Sequence, residues 1–161
     1  MAVAGRAQFA RQPGGGPRLN GATALGFDFG LRRIGVAVGD TLTKSAAPLA
    51  TVNHGEHGPD WAAIDRLLSD YKPAILVVGY PYNEDGSLGS LASAAGRFAS
   101  TLAQRSGLAV ARVDERYSSQ EATAELKQRR AVGTRRRRVR RADVDSLAAA
   151  IILERWLSGE T

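Results

Sequence analysis

Residues 24–40, ALGFDFGLRRIGVAVGD, constrain the fold more than any other stretch of this chain. Large apolar residues recur at every second position, first at Leu25, Phe27 and Phe29 and again at Ile34, Val36 and Val38. A period of two belongs to a strand with one face on a core. So few residues separate the two runs that an antiparallel hairpin is predicted. On it Leu25, Phe27 and Phe29 face the core, while Gly26, Asp28 and Gly30 face the other way and are matched on the second strand by Gly35, Ala37 and Gly39. One carboxylate therefore stands among residues that have almost no side chain. Its glycine neighbours are expected to leave it uncovered and to let a bulky ligand come close to the backbone.

The rest of the chain alternates helix and strand patterns. APLATVN is a candidate third strand, and PDWAAIDRLLSDY carries Trp61, Ile64, Leu67 and Leu68 at helical spacing before a stop at Lys72-Pro73. AILVVGY is a continuous apolar run, as expected of a strand covered on both faces. SLASAAGRFASTLAQRS then reads as a helix of small residues, LAVARVDE as a strand, and SSQEATAELKQRR as a helix with Ser118 and Glu121 in capping-box spacing. DVDSLAAAIILERWL is the last helix. This order predicts an α/β fold in which a mixed sheet, an antiparallel hairpin plus parallel strands, has helices packed on both faces. A chain of 161 residues suits one core. The expected division is a flexible basic tail over 1–23, a single domain over 24–158 and, within it, a mobile arginine-rich loop over 127–141.

Two further carboxylates are singled out by position. Glu115 stands at the C-terminal end of its strand, where open sheets with parallel strands place their ligand sites. Asp145, at about 100° per residue, projects between Ile152 and Trp156 and above Ala149, on the apolar side of the last helix, whereas Asp143 turns towards Glu154 and serves as a cap or first-turn charge. If Asp28, Glu115 and Asp145 met in one cleft they would repel one another unless cations neutralised them. Oxygen ligands select Mg²⁺ or Mn²⁺, and two such ions can activate water and stabilise the leaving oxygen of a phosphodiester. Sequence alone leaves the meeting itself open.

Charge points to the partner. The net charge is +6, yet nine basic residues and no acidic one fall between Lys127 and Arg141, leaving thirteen basic against sixteen acidic residues elsewhere. Arg129, Arg130, Arg135, Arg136, Arg137, Arg138, Arg140 and Arg141 are thus candidate phosphate contacts, able to recognise shape or unpaired strands but not sequence. There is no cysteine, which removes thiol nucleophiles and thiolate metal sites. No apolar run approaches the roughly 20 residues of a membrane span, so a soluble, cytoplasmic protein without a membrane partner is expected. The two histidines lie in HGEH, a glycine-flanked loop to which no metal is assigned.

Taken together, FDFGLRRIGVAVGD, VVGYPYNEDGS, VDERYSSQEA and DVDSLAAAIILE resemble the four main blocks of the YqgF family, RNase H-like nucleases described as pre-16S rRNA nucleases and as Holliday junction resolvases. The resemblance runs from about Ala24 to Leu157. It implies an RNase H-like fold, the convergence of Asp28, Glu115 and Asp145 at one end of the sheet, and a metal-dependent endonuclease acting on structured RNA such as a rRNA precursor, in association with the ribosome, or on branched DNA. It also implies a substrate-side loop with Tyr80, Tyr82, Asn83 and Asp85, although the family has Gly-Leu-Pro where this chain has Gly79-Tyr80-Pro81; packing is the favoured role for the two aromatic rings. Two other classes compete. Asp-x-Gly on a first hairpin also occurs in actin-like and sugar-kinase ATPases, but those need two such domains, and this chain has one copy. A noncatalytic RNA-binding module, with the arginines active and the acids as remnants, is the third reading.

Overall fold

Alternation along the first hairpin builds the centre of the molecule. The computed structural model describes residues 21–80, 90–114 and 141–159, the side chains of Ser90, Asp114 and residues 141–143 excepted. Strands β1 (Thr23–Phe29) and β2 (Arg33–Asp40) pair antiparallel, with Asp28 opposite Gly35 and Gly26 opposite Ala37. β3 (Ser45–Gly55) continues the antiparallel half through a register irregularity between Val36 and Ala37, and the two-residue β4 (Gly58–Pro59) closes that edge. On the other side of β1, β5 (Ile75–Tyr80) and β6 (Val110–Asp114) add parallel strands. The sheet order β4-β3-β2-β1-β5-β6 leaves β1 in the interior, flanked on both sides.

Local chemistry sets the ends of these elements. The hairpin connection is tied to β3 by His54, whose backbone N–H donates to Arg32 and whose Nδ1 bonds the Gly30 carbonyl at 2.7 Å. A carbonyl only accepts, so Nδ1 carries the proton. Helix α1 (Trp61–Tyr71) starts where the Asp60 carboxylate accepts from the Ala63 N–H, and it ends at Lys72, whose left-handed backbone donates to the Leu68 carbonyl just before Pro73. Helices α2 (Ser90–Ser106) and α3 (Arg141–Ser158) complete the described elements. The helix expected from Ser118 lies outside the described residues.

The helices divide between the two faces of the sheet. On one, α1 and α2 cover Leu25, Phe27, Phe29, Ile34, Val36, Leu76 and Val78. Phe98 of α2 is the hub there, with ring centroids 5.7 Å from Phe27, 5.2 Å from Phe29 and 5.4 Å from Trp61. On the other, among the described residues, α3 covers Ala24, Ala37, Val77 and Val113 with Leu147, Ala148, Ala149, Ile152 and Leu153. The mixed sheet with helices on both faces is as predicted. Pairing already includes Thr23, and the Ala22 N–H donates to Thr41 Oγ1 at 2.9 Å, inside the stretch expected to be tail; residues 1–20 lie outside the described residues. Among the described residues no helix is long and apolar enough to cross a membrane.

Candidate functional site

The row of small residues on β1 and β2 admits a helix at backbone distance. A Cβ on Gly26 would stand 2.9 Å from the Leu153 Cβ and 3.3 Å from the Ala149 carbonyl, and one on Gly35 would collide with the carbonyl of Asp145. These glycines make room for α3, which corrects the expectation that they open the strand to a ligand. At Gly30 the space is filled by the hairpin's own Arg33 carbonyl, 2.5 Å from where a Cβ would sit. The reason is energetic: burying Leu147, Ile152 and Leu153 at about 1.5–3 kcal/mol each requires α3 to lie flat, and only residues without side chains allow it at these points.

Close packing at Gly35 sets the backbone of Asp145 beside the strand position that faces Asp28. Asp28 and Gly35 are direct cross-strand partners, so a side chain at either would point to the same face with Cβ positions roughly 5 Å apart. Gly35 lies under the backbone of Asp145. The Asp145 backbone thus rests on the strand position beside Asp28, where β1, β2 and α3 touch. The same row continues across the sheet, because Asp28 also aligns with Gly79 of β5 and Gly79 with Val113 of β6. Glycine thus flanks Asp28 on both neighbouring strands.

Arg33, which sequence reasoning passes over, joins the site. Its Nε donates to Asp145 Oδ2 at 2.6 Å, with the two side chains 30% and 24% exposed. A pair this open contributes about 1 kcal/mol or less, so its effect is to orient the Asp145 carboxylate more than to hold the fold. The signal was parity: 33, 35, 37 and 39 share the face that carries α3, whereas Arg32 does not.

The remaining predicted residues divide as follows. Glu115 lies outside the described residues; in sequence it follows β6 directly, two positions beyond Val113 of the Asp28 row. Tyr80 does not belong to a substrate loop. It is the last residue of β5, 3% exposed, on the same face as Leu76 and Val78, with the Arg112 guanidinium 4.8 Å from its ring. Strand parity turns it into the core, so it packs. Tyr82, Asn83, Asp85, Arg129, Arg130, Arg135, Arg136, Arg137, Arg138 and Arg140 lie outside the described residues, and Arg141 is the first residue of α3 and not part of the preceding loop.

Among the described residues, no three histidine, aspartate or glutamate side chains gather. Asp28 and Asp145, both on the side of the sheet covered by α3, carry oxygen donors of the kind a hard cation takes. Among the described residues, Arg33 on Oδ2 is the hydrogen-bond partner of the Asp145 carboxylate, and Oδ1 has none. These residues fit Mg²⁺ or Mn²⁺.

Comparison with known proteins follows the same lines. The family described as "RuvX: Holliday junction resolvase" matches residues 22–159. A Xanthomonas campestris pv. campestris (strain B100) protein named "Putative pre-16S rRNA nuclease" is 47% identical over 137 residues, covering 85% of this chain and 88% of its own. A protein of the same name from Hahella chejuensis is 43% identical over 136 residues, 84% of each chain. Among solved structures, T. thermophilus RuvC in complex with Holliday junction substrate aligns at a TM-score of 0.51 with 19% identity, over 86% of this chain and 94% of that one. The yeast mitochondrial Holliday junction resolvase Ydc2 aligns at 0.52 with 10% identity, over 89% and 81%. Identities this low speak to the fold alone, and the fold is the RNase H-like one.

Proposed function

The chain belongs to the RuvX family of Holliday junction resolvases, and from that membership we propose that it is an endonuclease hydrolysing phosphodiesters in structured RNA, with maturation of pre-16S rRNA as its task. The observation that carries this reading is the packing of the Asp145 backbone onto Gly35, the cross-strand partner of Asp28, which sets residues from distant parts of the chain side by side. Relatives at 43–48% identity bear the rRNA-nuclease name, and this favours RNA as substrate. The family description favours a second reading, cleavage of four-way DNA junctions.

In this proposal Asp28 and Asp145, with Glu115, hold Mg²⁺ or Mn²⁺. Two ions of this kind supply an activated water and a stabilised leaving oxygen for an in-line displacement. The protein's own part is placement. Asp28 is fixed by strand pairing on both sides, and Asp145 by a helix resting on glycine and by the Arg33 guanidinium. The arginines between residues 129 and 141 supply phosphate neutralisation, with affinity falling as salt rises, and a ribosomal precursor in the cytoplasm is their target.

Cleavage of a folded rRNA precursor and of a synthetic four-way junction, each compared with the Asp28→Asn protein, tests the reading. Product from the RNA is expected, reduced on the order of 10³-fold or more in the variant. Product from the junction alone would move the assignment to the second reading. Equal product from both proteins would assign it to a contaminant and overturn the nuclease proposal.

A further inference from the structure

Arg33 has donors that the carboxylate pair does not use. Its Nε donates to Asp145, and among the described residues neither Nη makes a hydrogen bond. A guanidinium presents five N–H donors in a planar fork, so its Nε edge and its Nη tips can serve different acceptors at once. Strand parity sets Arg33 on the face of Gly35, two residues away, and Gly35 is the partner of Asp28. This makes Arg33 the diagonal neighbour of Asp28, roughly 7–8 Å away between backbones and within reach of a long side chain. At 30% exposure the guanidinium is open to an incoming group. Packing gives no reason for an arginine here, since a pair so exposed stabilises the fold little.

We propose that Arg33 bridges the site and its substrate: Nε orients Asp145 while the Nη groups donate to a non-bridging phosphate oxygen of the strand being cut. This deepens the nuclease reading and rests on it. The side-chain type follows from the double task. Lysine carries the same charge on one compact ammonium and cannot keep the in-plane contact to Asp145 while forking onto a phosphate. Arg33 thereby couples the position of a carboxylate to the arrival of the phosphodiester, from the face opposite the aromatic core.

The test uses the full chain with Asp28→Asn, so that the probe stays intact. Binding of a fluorescent four-way DNA junction and of a folded rRNA-precursor fragment is followed by anisotropy between about 50 and 200 mM salt. Adding Arg33→Gln is expected to lower the slope of log affinity against log salt by about one, the signature of one lost phosphate contact, whereas Arg33→Lys keeps the slope. With Asp28 restored, Arg33→Lys is expected to lower kcat about tenfold, the scale of a lost orienting partner, with KM nearly unchanged. A bound probe with an unaltered slope in Arg33→Gln overturns the phosphate contact and leaves the nuclease reading standing. If Asp28→Asn binds neither probe, the nuclease reading fails and takes this inference with it. Should Arg33→Gln not fold, Arg33→Lys decides, because an unchanged kcat there is incompatible with the double role.

Discussion

The two faces of the central hairpin are built from the same residues in alternation and do opposite things. The face under α1 and α2 is large: Leu25, Phe27, Ile34 and Val36 are fully buried, and Phe98 packs ring against ring with Phe27, Phe29 and Trp61. The face under α3 is small: Ala24, Gly26, Gly35, Ala37 and Gly39 let a helix descend until Leu153 nearly touches the strand backbone. Large side chains fill a gap between layers, while small ones remove it. A core is made on the first face, and on the second the backbone of Asp145 in the last helix rests beside Asp28 of the first strand, 117 residues earlier in sequence. The hollow on the large face, lined by Phe29, His54, Trp61, Arg97 and Phe98, has no carboxylate among the described residues of its lining.

The largest effect is expected on the face that supplies the core. Phe27→Ala should cost about 3–5 kcal/mol in urea unfolding without abolishing cation-dependent cleavage in the fraction that remains folded. A loss below about 1 kcal/mol would mean that the aromatic face is not the main source of stability. Gly35→Ala sharpens the contrast. It should cost about 1–3 kcal/mol by overpacking, less than Phe27→Ala, yet eliminate cleavage, because its methyl group would force the Asp145 backbone off β2; normal activity in this variant would break the proposed geometry. The smallest effect is expected far from both faces, at the exposed Asp65–Arg105 pair, 2.6 Å apart. Asp65→Asn should change stability by less than about 0.5 kcal/mol and leave cleavage rates unaltered.

Much of this arrangement is legible in the chain. The parity of Leu25, Phe27 and Phe29 against Gly26, Asp28 and Gly30 identifies the two faces because alternation is a property of any strand, independent of its neighbours. The helix over Trp61–Tyr71 is bounded by Asp60 and by Lys72-Pro73, and the stretch from Ser90 to Ser106 is helical as its spacing predicts. The purpose of the glycines was misread, because a residue without a side chain records that something comes close and not what it is. Tyr80 packs, the role favoured for its ring, but from the end of a strand and not from a loop, a distinction that only its parity with Leu76 and Val78 makes. Arg33 escaped notice because an arginine beside another arginine is ordinary at a hairpin, and only its neighbour in space distinguishes it from Arg32.

By itself the sequence determined which residues lie on which face, where the helices run, and which carboxylates stand in surroundings that do not explain them, since each of these follows from local periodicity and backbone chemistry. The tertiary structure decided that the Asp145 backbone settles on Gly35, beside Asp28, and that Arg33 holds the Asp145 carboxylate. Those facts depend on the sheet order and on the depth at which α3 settles against Gly35. Both are set by long-range burial, which no window of neighbouring residues contains.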